Sequence, residues 1–197
     1  MLRGHLASDD EAEGVVRTLA EAFYADPVWG WAFDDDARRI EQHRAWFRLH
    51  VHTGILNGAV WTTPGFEAVA VWVLPGYPEL TPADEAVLKP TIEELTGDRA
   101  PVIFATFDRF DEMHPHDQDH YYLSLLATRP EHRGHGYGMA LLAESLERID
   151  DGGAAAYLES TNPANVNRYR AAGFELFNSY DLPHGGPQVD QMWRAPR

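Results

Sequence analysis

Residues Tyr121 to Thr128 (YYLSLLAT) are apolar on both alternating faces, so the strand they form needs neighbours above and below it. The next ten residues, RPEHRGHGYG, lead straight into a helix whose Met139, Leu142, Leu146 and Ile149 make one apolar stripe. A buried strand that turns through glycine into a helix confines the chain to layered α/β architectures. The junction itself has two readings. Backbone N–H groups bared at a helix N-terminus, which carries about half a positive charge, suit a pyrophosphate that glycine lets come close. Equally, the glycines serve only to let strand and helix pack tightly. Arg129, His132, Arg133 and His135 add positive potential that favours the first reading. A dinucleotide fingerprint is excluded because no acidic residue ends a second parallel strand about 20 residues on, and a P-loop because Gly-Lys-Ser/Thr is missing.

The remaining elements follow from periodicity and caps. A short strand is predicted near Leu2 to Ala7. A helix carrying Val16, Leu19, Ala20 and Phe23 ends near Asp26-Pro27, and a second, with Ile40, Arg44, Phe47 and Val51 on one side, begins after Asp36. Ala59 to Thr63 and Glu67 to Leu74 form a hairpin across Pro64-Gly65. A helical region from Thr81-Pro82 to Met113 is broken at Pro90 and Pro101. Beyond the glycine turn come a strand at Ala154 to Ser160, a short helix capped by Asn162, and a final hairpin of Phe174 to Asp181 with Val189 to Arg194. A chain of 197 residues without repeats fits one domain, residues 1–197.

Composition removes whole classes of function. The longest apolar run, Ala68 to Leu74, is far below the ~20 residues of a membrane span, and the opening segment lacks a signal-peptide pattern, so a cytoplasmic protein without membrane partners is expected. Absence of cysteine rules out thiolate metal sites and an acyl-cysteine intermediate. A net charge of −15 repels nucleic acid and attracts cationic small molecules such as amines. His114, His116, Asp117, Asp119 and His120 lie close together, but loop histidines beside prolines and acids are mostly solvated, and no metal is expected.

LATRPEHRGHGYGMALL resembles the acetyl-CoA signature of the GNAT N-acetyltransferase superfamily, and AYLESTNPANVNRYRAAGF resembles the strand and helix that follow it there. AVAVWVLPG and AEAFYADP extend the likeness toward puromycin N-acetyltransferase-like small-molecule enzymes. The resemblance implies an α/β (α+β) GNAT fold: a mixed, mostly antiparallel sheet of about six to seven strands, splayed at the central strand and flanked by helices. It also implies acetyl-CoA as co-substrate, with pantetheine in the opening, bonded by the backbone of the Leu126-Ala127-Thr128 segment. Arg133, Gly134, His135, Gly136, Tyr137, Gly138 and Met139 match the pyrophosphate loop, and Asn162 or Asn165 the asparagine near pantetheine.

The chemistry requires a base for the acceptor ammonium, donors for the oxyanion and an acid for the leaving thiolate. The amide near Leu126 serves the oxyanion by resemblance. Tyr169 occupies the family's tyrosine position and is the candidate acid, or a ring that packs its helix on the sheet. Glu159, at a strand end beside the opening, is the candidate base, or a carboxylate that only orders the ammonium. Alternation puts His120, Tyr122, Ser124 and Leu126 on one face, which makes His120 or Tyr122 a candidate for a water relay. Asp26, Trp29, Trp31, Phe33 and Tyr122 are candidates for the acceptor pocket, though the three aromatics beside Asp26 suit a core equally. The expected activity is acetylation of a primary amine of a small molecule by a monomer or homodimer. A peptide or protein N-acetyltransferase and a non-catalytic CoA-binding sensor domain are the alternatives.

Overall fold

A computed structural model describes residues 3–197. The strands are β1 (His5–Leu6), β2 (Val60–Thr62), β3 (Ala68–Val73), β4 (His120–Thr128), β5 (Ala155–Ser160), β6 (Glu175–Asp181) and β7 (Gln188–Arg194). The helices are α1 (Ala12–Phe23), α2 (Pro27–Ala32), α3 (Arg39–Leu56), α4 (Pro82–Thr96), α5 (Ala100–Met113), α6 (Tyr137–Asp151) and α7 (Val166–Ala171). Of the expected first strand, Leu2 lies outside the described residues. One sheet runs in the order β1-β2-β3-β4-β5-β7-β6, and β4–β5 is its parallel pair. One face packs on α1, α2, α3 and α5, the other on α6 and α7. Among the described residues, no helix is long and apolar enough to cross a membrane.

Two details of register shape the centre of the sheet. β4 pairs with β5 only from His120↔Ala155 to Leu123↔Leu158, after which Ser124–Thr128 stays with β3 while Glu159 and Ser160 pair with β7. The strands therefore part, and a gap opens between them. Meanwhile Trp72 faces Leu123 but Val71 faces Leu125, so Ser124 is the extra residue of a β-bulge. The bulge corrects the alternation expected for β4. Tyr121, Leu123 and Leu126 pack toward α6, whereas Leu125 and Ala127 pack in the opposite core, so Leu126 does not share a face with Tyr122.

Backbone polarity past the bulge follows from one bond. Arg129 N–H donates to the Glu67 carbonyl at 2.9 Å, and antiparallel alternation then makes Ala127 and Leu125 the residues bonded to β3. The N–H and C=O groups of Leu126 and Thr128 consequently point into the gap.

Two expectations for the helices change. Pro90 does not end α4, which continues through it to Thr96; the break falls at Gly97, whose φ of 51° ends the helix. On α3, Arg44 is exposed and the buried face is built from His43, Trp46, Phe47, His50 and Val51. His43 is fully buried between Phe33 and Phe47, with both ring nitrogens lacking a hydrogen-bond partner. Burial lowers its pKa from 6.5 to about 4, against a small opposing pull from the Ala20 and Trp29 carbonyls. A histidine whose folded pKa is depressed binds protons more weakly in the folded state. Stability should therefore fall as pH drops from 6.5 toward 4, by up to roughly 3 kcal/mol. His43→Leu should flatten that slope in urea melts across the same window.

Candidate active site

The glycine turn lies open at the surface, between β4 and α6. Gly134 and Gly136 have φ of 82° and 79°, a region where a Cβ is costly, and Gly136 occupies the N-cap of α6. At Gly138 a Cβ would stand 2.5 Å from Thr128 Oγ1, so the helix start sits against the strand end. The amides of Gly134, His135, Gly136, Tyr137, Gly138 and Met139 donate to no group among the described residues. Six orphan donors at a helix N-terminus form an anion cradle. Arg133 spends one contact on the Ala22 carbonyl at 2.8 Å, and its exposed guanidinium stays beside the turn. Arg129 contributes less than expected, because Glu21 and Glu131 pair with it at 3.2 and 2.6 Å. His135 stacks on Tyr137, and Met139 packs under α6.

From the gap a cavity of about 670 Å³ runs toward α3 and α5. Leu126, Ser160, Asn165 and Tyr169 line its gap end. Asn165 therefore faces the cavity, while Asn162 caps the turn before α7 through its Oδ1 and the Ala164 N–H, 3.0 Å apart. Aromatic rings form the floor: Trp46 stacks on Phe107 at 4.3 Å, and Trp29 on Phe110 at 6.0 Å. Asp26, Glu79, Glu85, Asp111, Asp119 and Glu159 contribute carboxylates to the walls, and no Arg or Lys is among the described lining residues. Such a container selects cations with an apolar body.

Glu159 sits where β5 leaves β4. Its carboxylate accepts from Tyr180 at 2.6 Å and from Tyr122 at 3.2 Å. Burial pushes its pKa from 4.5 up to about 7, while the hydroxyls of Tyr180, Tyr157 and Tyr122 favour the ionised form and moderate the rise. It is thus poised to gain and lose a proton near neutrality. Burial and the adjacent Glu159 charge hold the Tyr122 hydroxyl protonated. Gln191 donates to the Tyr157 hydroxyl at 2.6 Å and to the Met113 carbonyl at 2.7 Å, tying this cluster to the end of α5.

Tyr169, on α7, is pushed to about 12 by burial and then by the negative charge of Asp26. A phenol so held carries its proton at neutral pH. Its ring also meets Phe174 edge-on at 6.2 Å, so it packs α7 as well as lining the cavity. Asp26 caps α2 through the amides of Val28 and Trp29 and accepts from Thr161 at 2.8 Å. Burial raises its pKa.

Of the expected acceptor residues, Asp26, Trp29 and Tyr122 meet at the cavity. Trp31 and Phe33 do not: Trp31 lies under the Arg99 guanidinium at 4.9 Å, and Phe33, where the chain leaves α2, is buried edge-on against His43. The sequence reading missed Trp46, His50, Glu79 and Phe107, which come from α3, the β3–α4 connection and α5. His114 and His120 approach through their Nε2 atoms at 3.1 Å, and burial and His120 lower the pKa of His114 to about 4. Among the described residues no group of three or more His, Asp or Glu has metal-holding geometry.

Comparison with known proteins agrees with this fold. Residues 81–174 match the acetyltransferase (GNAT) family model. A "histone acetyltransferase HPA2 and related acetyltransferase" from Corynebacterium glutamicum is similar at 24% identity and a TM-score of 0.76, over 100% of this chain and 98% of that one. A Drosophila melanogaster polyamine N-acetyltransferase aligns at 14% identity and 0.66, covering 99% and 100%. A mosquito "arylalkylamine N-acetyltransferase like 5b" aligns at 15% and 0.64, again covering 99% and 100%.

Proposed function

We propose, for a chain whose family match and fold support an acetyl-CoA-dependent N-acetyltransferase of the GNAT superfamily, direct transfer of the acetyl group to a primary amine of a small molecule. The observation that carries this reading is Glu159, a carboxylate with pKa near neutrality at the mouth of the strand gap, facing a cavity walled by acids and aromatics. The sequence likeness to puromycin N-acetyltransferase-like enzymes and a cavity walled by carboxylates and aromatic rings support a small-molecule amine as acceptor. Residues 1–197 act as one cytoplasmic domain, as a monomer or homodimer.

The diphosphate of acetyl-CoA rests on the amides of Gly134 to Met139, and pantetheine bonds the gap-facing backbone of Leu126 and Thr128 near Asn165. Glu159 takes a proton from the acceptor ammonium, directly or through water. The neutral amine attacks the thioester carbon, and the Leu126 N–H stabilises the oxyanion. Collapse expels the thiolate, which takes the Tyr169 hydroxyl proton, and the phenolate regains a proton from the attacking nitrogen as the neutral amide forms. No residue needs to carry the acyl group, consistent with the absence of cysteine.

A thiol-release screen of acetyl-CoA against an amine panel tests the proposal. Release with amines, but not with extended peptides, is the expected result; coenzyme A binding without release from any acceptor would favour a sensor domain. Tyr169→Phe should lower kcat about tenfold. That is less than the hundredfold typical of general acids, because a thiol of pKa ~8.5 is already a fair leaving group. An unchanged kcat would leave Tyr169 only its packing against Phe174.

A further inference from the structure

The cavity has a second polar end, away from Glu159. His50 is buried on α3, and its Nδ1 lies 3.3 Å from the Trp46 carbonyl, which can only accept. The neutral ring therefore carries its proton on Nδ1, and the Nε2 lone pair faces the cavity. Opposite, at 3.7 Å, stands Glu79 Oε1, on the connection between β3 and α4. Ser124, the bulge residue of β4, donates to that same oxygen at 2.5 Å and fixes it in place. With the ring in its neutral form, Nε2 and the Glu79 carboxylate are two facing acceptors, and Ser124 donates to the carboxylate alone. The separation is too long for a hydrogen bond and suited to a bridging N–H group.

We propose that Glu79 and His50 bind a second protonated nitrogen of the acceptor, which makes the substrate a diamine or a similar dication. This rests on the acetyl-transfer reading above and sharpens it. One nitrogen is delivered to Glu159 beside the gap. The other is held by the Glu79 carboxylate and the His50 lone pair, and the intervening apolar chain lies along Trp46 and Phe107. A protonated amine brings three donors and a positive charge, which satisfies both acceptors at once. Glu79 and His50 are specificity-determining residues in this scheme and take no part in bond making.

Isosteric amines test it. Thiol release should be compared for 1,4-diaminobutane against pentylamine and for 1,6-diaminohexane against heptylamine, with titration calorimetry of the same amines into CoA-saturated protein. The expected result is a kcat/KM at least tenfold higher for the diamine in one of the pairs. That preference should collapse toward one in Glu79→Gln and in His50→Phe, with diamine turnover falling further than monoamine turnover. Preference retained in both variants overturns the proposal, as does equal use of monoamines and diamines, the outcome expected if a protonated His50 already neutralises Glu79. Diamines that bind in a Glu79-dependent way without thiol release would sustain this subsite and defeat acetyl transfer. Amines acetylated without regard to a second charge would do the reverse, and absence of both diamine binding and turnover would overturn the subsite.

Discussion

Replacing Glu159 by glutamine is expected to cut kcat by a hundredfold or more while leaving acetyl-CoA affinity unchanged, since proton transfer by a positioned base is worth about 10²–10⁴. The substitution keeps the shape of the side chain and an oxygen for the Tyr180 hydroxyl, while the Tyr122 hydroxyl can turn to accept from the new amide N–H, so the fold should survive. Rate against pH gives the sharper readout. The proposed base is the ionised form of a group whose pKa burial has raised to about 7, so kcat/KM should climb as pH rises through 7 and level off above it. Glutamine cannot ionise, and the variant should lose that limb. Tyr180→Phe removes a donor that favours the carboxylate, which should carry the limb to higher pH with the plateau kept. A wild-type profile retained in Glu159→Gln would strip Glu159 of this role.

At the other end of the site, Gly136→Val should weaken coenzyme A binding about a hundredfold. Valine resists the positive φ of this N-cap, at a cost of about 1–2 kcal/mol, and relaxing that φ turns the adjoining orphan amides out of line. Loss of two charge-assisted hydrogen bonds, at about 1.5 kcal/mol each, corresponds to two orders of magnitude in Kd. Calorimetry with coenzyme A measures the effect, and far-UV circular dichroism checks that α6 still forms. Unchanged affinity would mean that these glycines serve only the close approach of α6 to Thr128, the packing alternative for the turn.

Much of the candidate site was legible because it is local. Residues 129–138 join the strand to the helix they punctuate, and glycine at Gly134 and Gly136 is demanded by backbone conformation within a few bonds. Glu159 and Tyr169 lie within one strand-turn-helix unit that follows directly, so their nearness to the gap could be anticipated. The Trp29-Gly30-Trp31-Ala32-Phe33 run could not be sorted in the same way. Every one of its aromatics suits a core or a pocket, and only the docking of α2 against α5 and the final hairpin sends Trp29 to the cavity and Phe33 inward.

The amino-acid sequence by itself determined the succession of helices and strands, the buried character of β4 and the glycine-bearing N-terminus of α6, because hydrophobic period, caps and φ preferences act over a few neighbouring residues. Only the tertiary structure decided the bulge at Ser124 that turns Leu126 away from Tyr122, the raised pKa of Glu159, and the meeting of His50 with Glu79. A bulge depends on the partner strand, desolvation on every element packed around a carboxylate, and a contact between α3 and the β3–α4 connection on how segments distant in the chain are pressed together.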